Sequence, residues 1–357
     1  MRLIQESALA NAEGNFQYAL EKAKDAGKKE RHISKRREQL ELSEQINLDL
    51  TYSVLLNLAN QYHANKMYQE ALNSYSVIVK NKLFNQAGRL RVNMGNIYFE
   101  QEKYQQAIKM YRMALDQISN ANRNFRLRII RNIGISFVKM GQYSDAITSF
   151  ESVMDMSPDY QTGYNLALAY FALGDKERLK KAFLRLISIP HQIIEQEDAA
   201  IPSAKHDPIE DHAVFNEDSL RSMARERKQQ AKHFIILAAK LIAPNIEGSF
   251  SDGYSWVVET LKGSSNADMA AELEIAKSIQ YLKTRDFQQA IDSLKEFEKK
   301  EPSLLGTAAT NLSFIYFLEG DHRQSEHYAD LAIQHDRYNS KALNNRGNCF
   351  FVRGMSL

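Results

Sequence analysis

Cys349 is the single cysteine among 357 residues, and as a nucleophile it would need a neighbouring base and a thiolate-favouring environment. It falls within a helical pattern of small and aromatic residues, where a small buried side chain is the expected role. His322, His327 and His335 lie close in sequence, but spacings of five and eight set them poorly on one helical face for a metal. His206 and His212 beside Asp207 and Asp211 form a better ligand set, yet they sit in a proline-punctuated acidic stretch that reads as a solvated loop. Gly248 and Gly253 have the spacing of a phosphate-binding loop, but Tyr254 follows and the phosphate lysine is missing. No two glycines stand two apart, and neither a Gly-x-Ser-x-Gly elbow nor a His-Glu-x-x-His pair occurs. The expectation is a protein without catalysis, cofactor or metal.

Charge excludes further classes. Lys plus Arg number 46 against 44 Asp plus Glu, a net charge of +2, which supplies no global field for nucleic acid or an anionic membrane. One basic run (Lys28, Lys29, Arg31, Lys35, Arg36, Arg37) is interleaved with Glu30, Glu38 and Glu41 and lacks stacking aromatics. It reads as a solvated helix face, with an acidic protein partner as the next choice. The first fifteen residues hold no apolar signal region, and the longest apolar run, Phe234 to Ala239, is too short to span a bilayer. With one cysteine excluding an internal disulfide, a soluble intracellular protein is expected, with neither nucleic-acid binding nor membrane insertion.

The elements that would position these residues follow a period. A small residue is followed three places on by an aromatic, nine further by another small residue, and four later by an aromatic or apolar one. It reads Ala59, Tyr62, Ala71, Tyr75; Gly95, Tyr98, Ala107, Tyr111; Gly134, Phe137, Ala146, Phe150. A weaker copy is Ala167, Tyr170, Leu179, Phe183, and the pattern returns as Ser278, Tyr281, Ala290, Leu294, then Ser313, Tyr316, Ser325, and finally Gly347, Phe350. Neighbouring copies lie 36, 39 and 33 residues apart, later 35 and 34. Each copy reads as a helical hairpin in which small residues let two backbones approach and aromatics fill the next crossing. Gly14, Gly141, Gly174, Gly320 and Gly354 mark the inter-helix turns, and an aromatic follows two places later in Phe16, Tyr68, Tyr104, Tyr143 and Phe287. This is the tetratricopeptide (TPR) period. The expected fold is all-α, a TPR superhelical solenoid in two repeat groups with an interrupted middle.

The segments follow from breaks in that period. Residues 1–51 read as a repeat-like hairpin whose long helix carries the basic run. Its Ala19 precedes Ala71 by one 34-residue unit plus 18 residues, about five helical turns that a longer helix absorbs. Residues 52–187 form the first array, and Pro158 and Pro302 fall where second helices should stop. Residues 188–218, with Pro190, Pro202, Pro208 and many carboxylates, read as an acidic flexible loop. Residues 219–267 read as a degenerate helical repeat: a helix from Ser219 to Ala243, a glycine-rich turn over Gly248 to Gly253, and a short helix carrying Trp256. Residues 268–357 form the second array. Its last helix lacks the partner that Phe350 and Phe351 require, which suggests a fragment or truncated product.

In such a superhelix the first helix of each hairpin lines the concave face. The register puts Phe99, Arg128, Arg131, Ile135, Leu168 and Phe171 there, and later Phe314, Phe317 and Phe351. Asn57, Asn60, Asn93, Asn96, Asn132 and Asn165 share those helices, where they can bind a peptide backbone or pack hairpins together. Ala59, Ala71, Gly95, Ala107, Gly134, Ala146 and Ala290 are the repeat-packing positions. A carboxylate clamp for a chaperone tail would need lysines where Val92 and a later polar position, Gln161, stand. A chaperone-linked peptide receptor is therefore the alternative reading, and an arm of an enzyme a third.

The stretches YQEALNSYSVIVKNKLF, GNIYFEQEKYQQAIKMYRMALDQI, NIGISFVKMGQYSDAITSFESVM and NNRGNCFFVRG resemble the TPR subunits of intraflagellar transport complex B. The acidic break and the Trp256 segment look similar to that family's interruption between repeat groups. The likeness runs over the whole chain apart from Met355 to Leu357, and the family's N-terminal extension and further C-terminal repeats are not in this sequence. It implies a core complex B scaffold needed for cilium assembly and anterograde transport, joined to other complex B subunits and indirectly to the kinesin-2 motor. It also implies residence in the cilium or flagellum, the basal body and centriole, and the cytoplasm.

Overall fold

The computed structural model describes residues 1–42, 47–81, 87–190, 219–300 and 305–354. Helices account for the ordered elements, and no strand occurs among the described residues. The chain divides into two compact units, Met1–Ser157 and Pro158–Leu357.

The first unit stacks α1 (Arg2–Ala12), α2 (Phe16–Gln39), α3 (Leu48–Ala64), α4 (Tyr68–Lys80), α5 (Ala87–Glu100), α6 (Tyr104–Gln117), α7 (Arg123–Lys139) and α8 (Tyr143–Met156), each against its chain neighbour. The aromatic that follows each turn is the first residue of α2, α4, α6 and α8. Three places later Ala19, Ala71, Ala107 and Ala146 are wholly buried, because a larger side chain would separate the paired helices. One turn further, Tyr75, Tyr111 and Phe150 fill the core, each burial favouring the fold by about 1.5–3 kcal/mol. The turns hold left-handed backbone: Gly14 and Gly141 adopt it without strain, while Lys66 and Glu102 adopt it at φ 59° and 60°. α2 is 24 residues long.

The second unit comprises α9 (Tyr160–Leu173), α10 (Lys176–Ile187), α11 (Ser219–Ile242), α12 (Phe250–Lys262), a 3₁₀ turn (Ala267–Met269), α13 (Ala270–Lys283), α14 (Phe287–Lys300), α15 (Leu305–Glu319), α16 (His322–His335) and α17 (Ser340–Val352). Side-chain caps start several of them: Asp159, Asp175, Asp321 and Asn339 each accept the backbone N–H three residues on, worth about 1 kcal/mol apiece. α11 packs on α9, where the next first helix belongs. Trp256 of α12 lies 6.1 Å from the Phe183 ring and under the Lys180 ammonium.

One expectation is corrected. The glycine-rich turn of Gly248 to Gly253 ends early, because α12 begins at Phe250 and takes in Gly253. A Cβ on Gly253 would stand 1.9 Å from the Ala243 carbonyl oxygen. That glycine serves a close approach of two backbones rather than a turn. Pro302 and the acidic stretch 191–218, with His206 and His212, lie outside the described residues.

Candidate partner-binding surface

The candidate surface is built on the first helix of each hairpin, so what these helices spend on internal contacts decides what they offer outside. In α3 and α5 the asparagine after the small residue is already engaged. The Tyr75 hydroxyl donates to Asn60 Oδ1 at 2.5 Å and accepts from Asn93 Nδ2 at 3.4 Å. One repeat later the Tyr111 hydroxyl donates to Asn96 Oδ1 at 2.8 Å, and Asn132 supplies a second bond to it. Each hydroxyl is thus held by its own hairpin and by the next. Burial pushes the Tyr75 pKa up to about 12, with the Asn93 bond working against it, and raises Tyr111 further. Asn57 donates to Ser7 Oγ of α1 at 3.0 Å. These asparagines stitch hairpins together, Asn60 and Asn96 through Oδ1 and Asn57 and Asn93 through Nδ2.

The third copy drops both halves of the pair. Phe150 replaces the tyrosine and Ile135 replaces the asparagine, and the fourth repeats this with Phe183 and Leu168. A buried hydroxyl without its acceptor would cost about 1–3 kcal/mol, so the two positions must change together. Ile135 and Leu168 are half-buried at that register.

The other sequence-derived candidates separate by exposure. Arg128 faces solvent, whereas Arg131 is half-buried and engaged within the protein. Phe99 is half-buried with its ring edge-on to Tyr104 at 5.3 Å. Phe171 is half-buried. In the second unit Phe314 is 44% exposed and Phe351 84%, while Phe317 packs its ring against His322 at 5.3 Å. Ile279, one place after Ser278 as Phe314 is after Ser313, is exposed as well. The first helices of this unit therefore carry an apolar row, Ile279 and Phe314 with Leu318, that register counting had found only at Phe314.

The reactive residues take structural places. Cys349 is buried and donates to Ser325 Oγ at 3.1 Å. His322 lies on Phe317, His327 on Tyr328, and His335 against Gly306, so the three histidines do not converge. No group of three metal-capable side chains forms among the described residues. Val92, where a carboxylate clamp would need its first lysine, is buried at 8% exposure. Among the described residues no helix is long and apolar enough to cross a membrane.

Comparison with known proteins finds a repeat family, a curated relative and solved structures to which the chain is similar. Tetratricopeptide repeat family models match residues 86–159 and 163–190. The human protein named intraflagellar transport protein 88 homolog is 51% identical over 337 residues, 94% of this chain and 41% of its own length. The chain thus spans about two-fifths of that relative. Among solved structures, a TPR repeat-containing protein from Cytophaga hutchinsonii matches at 14% identity and TM-score 0.39, covering 96% of this chain and 98% of its own. A tetratricopeptide repeat protein from Parabacteroides merdae matches at 12% identity and TM-score 0.40, covering 84% and 98%. The chain carries tetratricopeptide repeats and is similar over 94% of its length to the human intraflagellar transport protein 88 homolog.

Proposed function

We propose that this chain is a non-catalytic adaptor of intraflagellar transport, holding other complex B subunits and coupled through them to the kinesin-2 motor. It acts in cilium assembly and anterograde transport, residing in the cilium or flagellum, the basal body and centriole, and the cytoplasm. The observation that carries this reading is 51% identity over 94% of the chain to the human intraflagellar transport protein 88 homolog. The chemistry of the first helices supports it: the Asn60 and Asn96 oxygens are taken internally in the first unit, and apolar side chains face outward in the second. Partner segments are met by Arg128, Ile135, Leu168 and Phe171 in the array of residues 52–187, and by Phe314, Phe317 and Phe351 in that of residues 268–357. Phe99 and Arg131 shape the surface from partly buried positions. Fully buried apolar contacts of this type supply most of the affinity of a protein interface.

The test is purification of the tagged chain from ciliated cells with quantitative mass spectrometry and imaging. The expected outcome is co-purification of complex B subunits and accumulation at the ciliary base. Diffuse cytosolic signal with no such subunits refutes the proposal. Phe314→Glu should lose a subset of those partners while the chain keeps its helicity.

A further inference from the structure

The buried tyrosines decide which end of two asparagine amides is left over. Tyr75 donates to Asn60 Oδ1 at 2.5 Å and Tyr111 to Asn96 Oδ1 at 2.8 Å, which leaves each Nδ2 on the other side of its amide. Neither Nδ2 meets an acceptor among the described residues. Asn60 is exposed and Asn96 half-buried. An amide held through its oxygen offers only its two N–H donors, so it selects acceptors.

The helices that carry these amides also present cations. Arg89 of α5 is close enough to Tyr52 of α3 to favour its phenolate, and lies 5.6 Å from the Phe125 ring of α7. Toward their other ends, His63 of α3 meets Glu100 of α5 at 3.0 Å. Arg89 and Asn96 stand seven apart, two turns along one side of α5, and Arg128 and Ile135 repeat that spacing on α7. Both arginines are exposed, and among the described residues neither forms an ion pair. Glu100, a carboxylate on the same side of α5, is engaged by His63. Two amide donors, two guanidinium groups and the half-buried Ile135 are left for a ligand.

We propose that α3, α5 and α7 seat an extended acidic segment of a partner protein. Its backbone carbonyls accept from Nδ2 of Asn60 and Asn96, its carboxylates meet Arg89 and Arg128, and an apolar side chain rests on Ile135. An extended chain fits because its carbonyls are free, whereas a helix has spent them on its own ladder. Charge complementarity selects the acidic side chains. A single-stranded nucleic acid would want open aromatic faces, but Tyr52 and Phe125 are half-buried and Phe99 packs on Tyr104. The proposal rests on the first helices meeting partner segments and is independent of the intraflagellar assignment.

The test uses the full chain and a fluorescein-labelled peptide of about twelve residues alternating glutamate and valine, about 40 Å long when extended. Fluorescence anisotropy should show saturable binding that weakens as salt rises. The variant R89Q/R128Q should bind about tenfold more weakly and lose most of the salt dependence, with an unchanged melting temperature because both side chains are exposed. A second variant, N96I/Y111F, copies the pairing that Ile135 and Phe150 hold natively. It removes the Asn96 donor without leaving an unmatched hydroxyl, and should also bind about tenfold more weakly while keeping its helicity. Equal binding of the peptide to the unmodified chain and to either variant overturns the proposal, as does no binding at physiological salt. It is equally overturned if a lysine-for-glutamate peptide binds as tightly, or if a single-stranded oligonucleotide binds through Arg89 and Arg128 while the acidic peptide does not. Failure here with complex B subunits still co-purifying would remove this seat and leave the intraflagellar reading standing.

Discussion

The two units solve the same packing problem with different side chains. At each hairpin crossing a first-helix residue faces a second-helix residue, and the pair shares a fixed space. In the first unit the partners are Ala59 with Tyr75, Gly95 with Tyr111, and Gly134 with Phe150: almost no side chain against a large ring. A Cβ on Gly95 or Gly134 would stand 2.5 Å from the opposing ring. In the second unit the same register holds Ser278 with Leu294 and Ser313 with Ala329, all buried. Where the second-helix residue shrinks, the first-helix residue grows. The polar groups follow suit. Tyrosine hydroxyls tie asparagines across hairpins in the first unit, whereas in the second Ser278 donates to Ser293 at 3.0 Å, Ser325 to the Ser313 carbonyl at 2.8 Å, and Cys349 to Ser325. Asn345 has no tyrosine to meet and donates instead to the Thr310 carbonyl at 3.1 Å. A repeat protein keeps its period by conserving the summed volume and the satisfied hydrogen bonds at a crossing, and the residue types can vary beneath that.

The comparison can be broken most forcefully at its rings. Tyr111→Ala should cost about 3–5 kcal/mol through the cavity it leaves, read as a lowered denaturation midpoint of the first unit. Next, Gly95→Ala should cost about 1–3 kcal/mol by overpacking against Tyr111. Phe150→Tyr alone buries an unmatched hydroxyl and should cost about 1–3 kcal/mol. Adding Ile135→Asn should return about 1 kcal/mol in a double-mutant cycle. A smaller gain, up to about 1 kcal/mol, is expected for Glu102→Gly, which relieves left-handed backbone.

The buried tyrosines add a pH signature. The folded-state pKa of Tyr75 is raised to about 12 and that of Tyr111 is raised as well, whereas unfolded tyrosines titrate near ~10. The folded state therefore holds more protons between those values. This contribution is whole below about pH 10 and is lost as pH climbs through the folded pKa. Alkaline unfolding followed by tyrosinate absorbance should be steeper in the native chain than in Tyr75→Phe.

Much of the fold was legible because repeats write the same constraint several times. Ala71, Ala107 and Ala146 each say that a helix approaches closely, and Gly141 and Gly174 recur where the backbone must turn left-handed. Gly253 was misread because spacing cannot separate a glycine needed for its φ from one needed for its missing Cβ. The partner surface was less legible. Asn60 and Asn96 read in sequence as open to a peptide, and only the third dimension shows their Oδ1 atoms accepting from Tyr75 and Tyr111. The signal that could have revealed this was present, since tyrosine becomes phenylalanine at 150 just as asparagine becomes isoleucine at 135.

The most direct measurement of volume sharing is a cycle at Gly134 and Phe150, read by urea denaturation with native-state hydrogen exchange resolving the first unit. Gly134→Ala and Phe150→Leu should each destabilise, and the double variant should be more stable than the sum of the two losses predicts by at least about 1 kcal/mol. Strict additivity of the two losses would contradict the account.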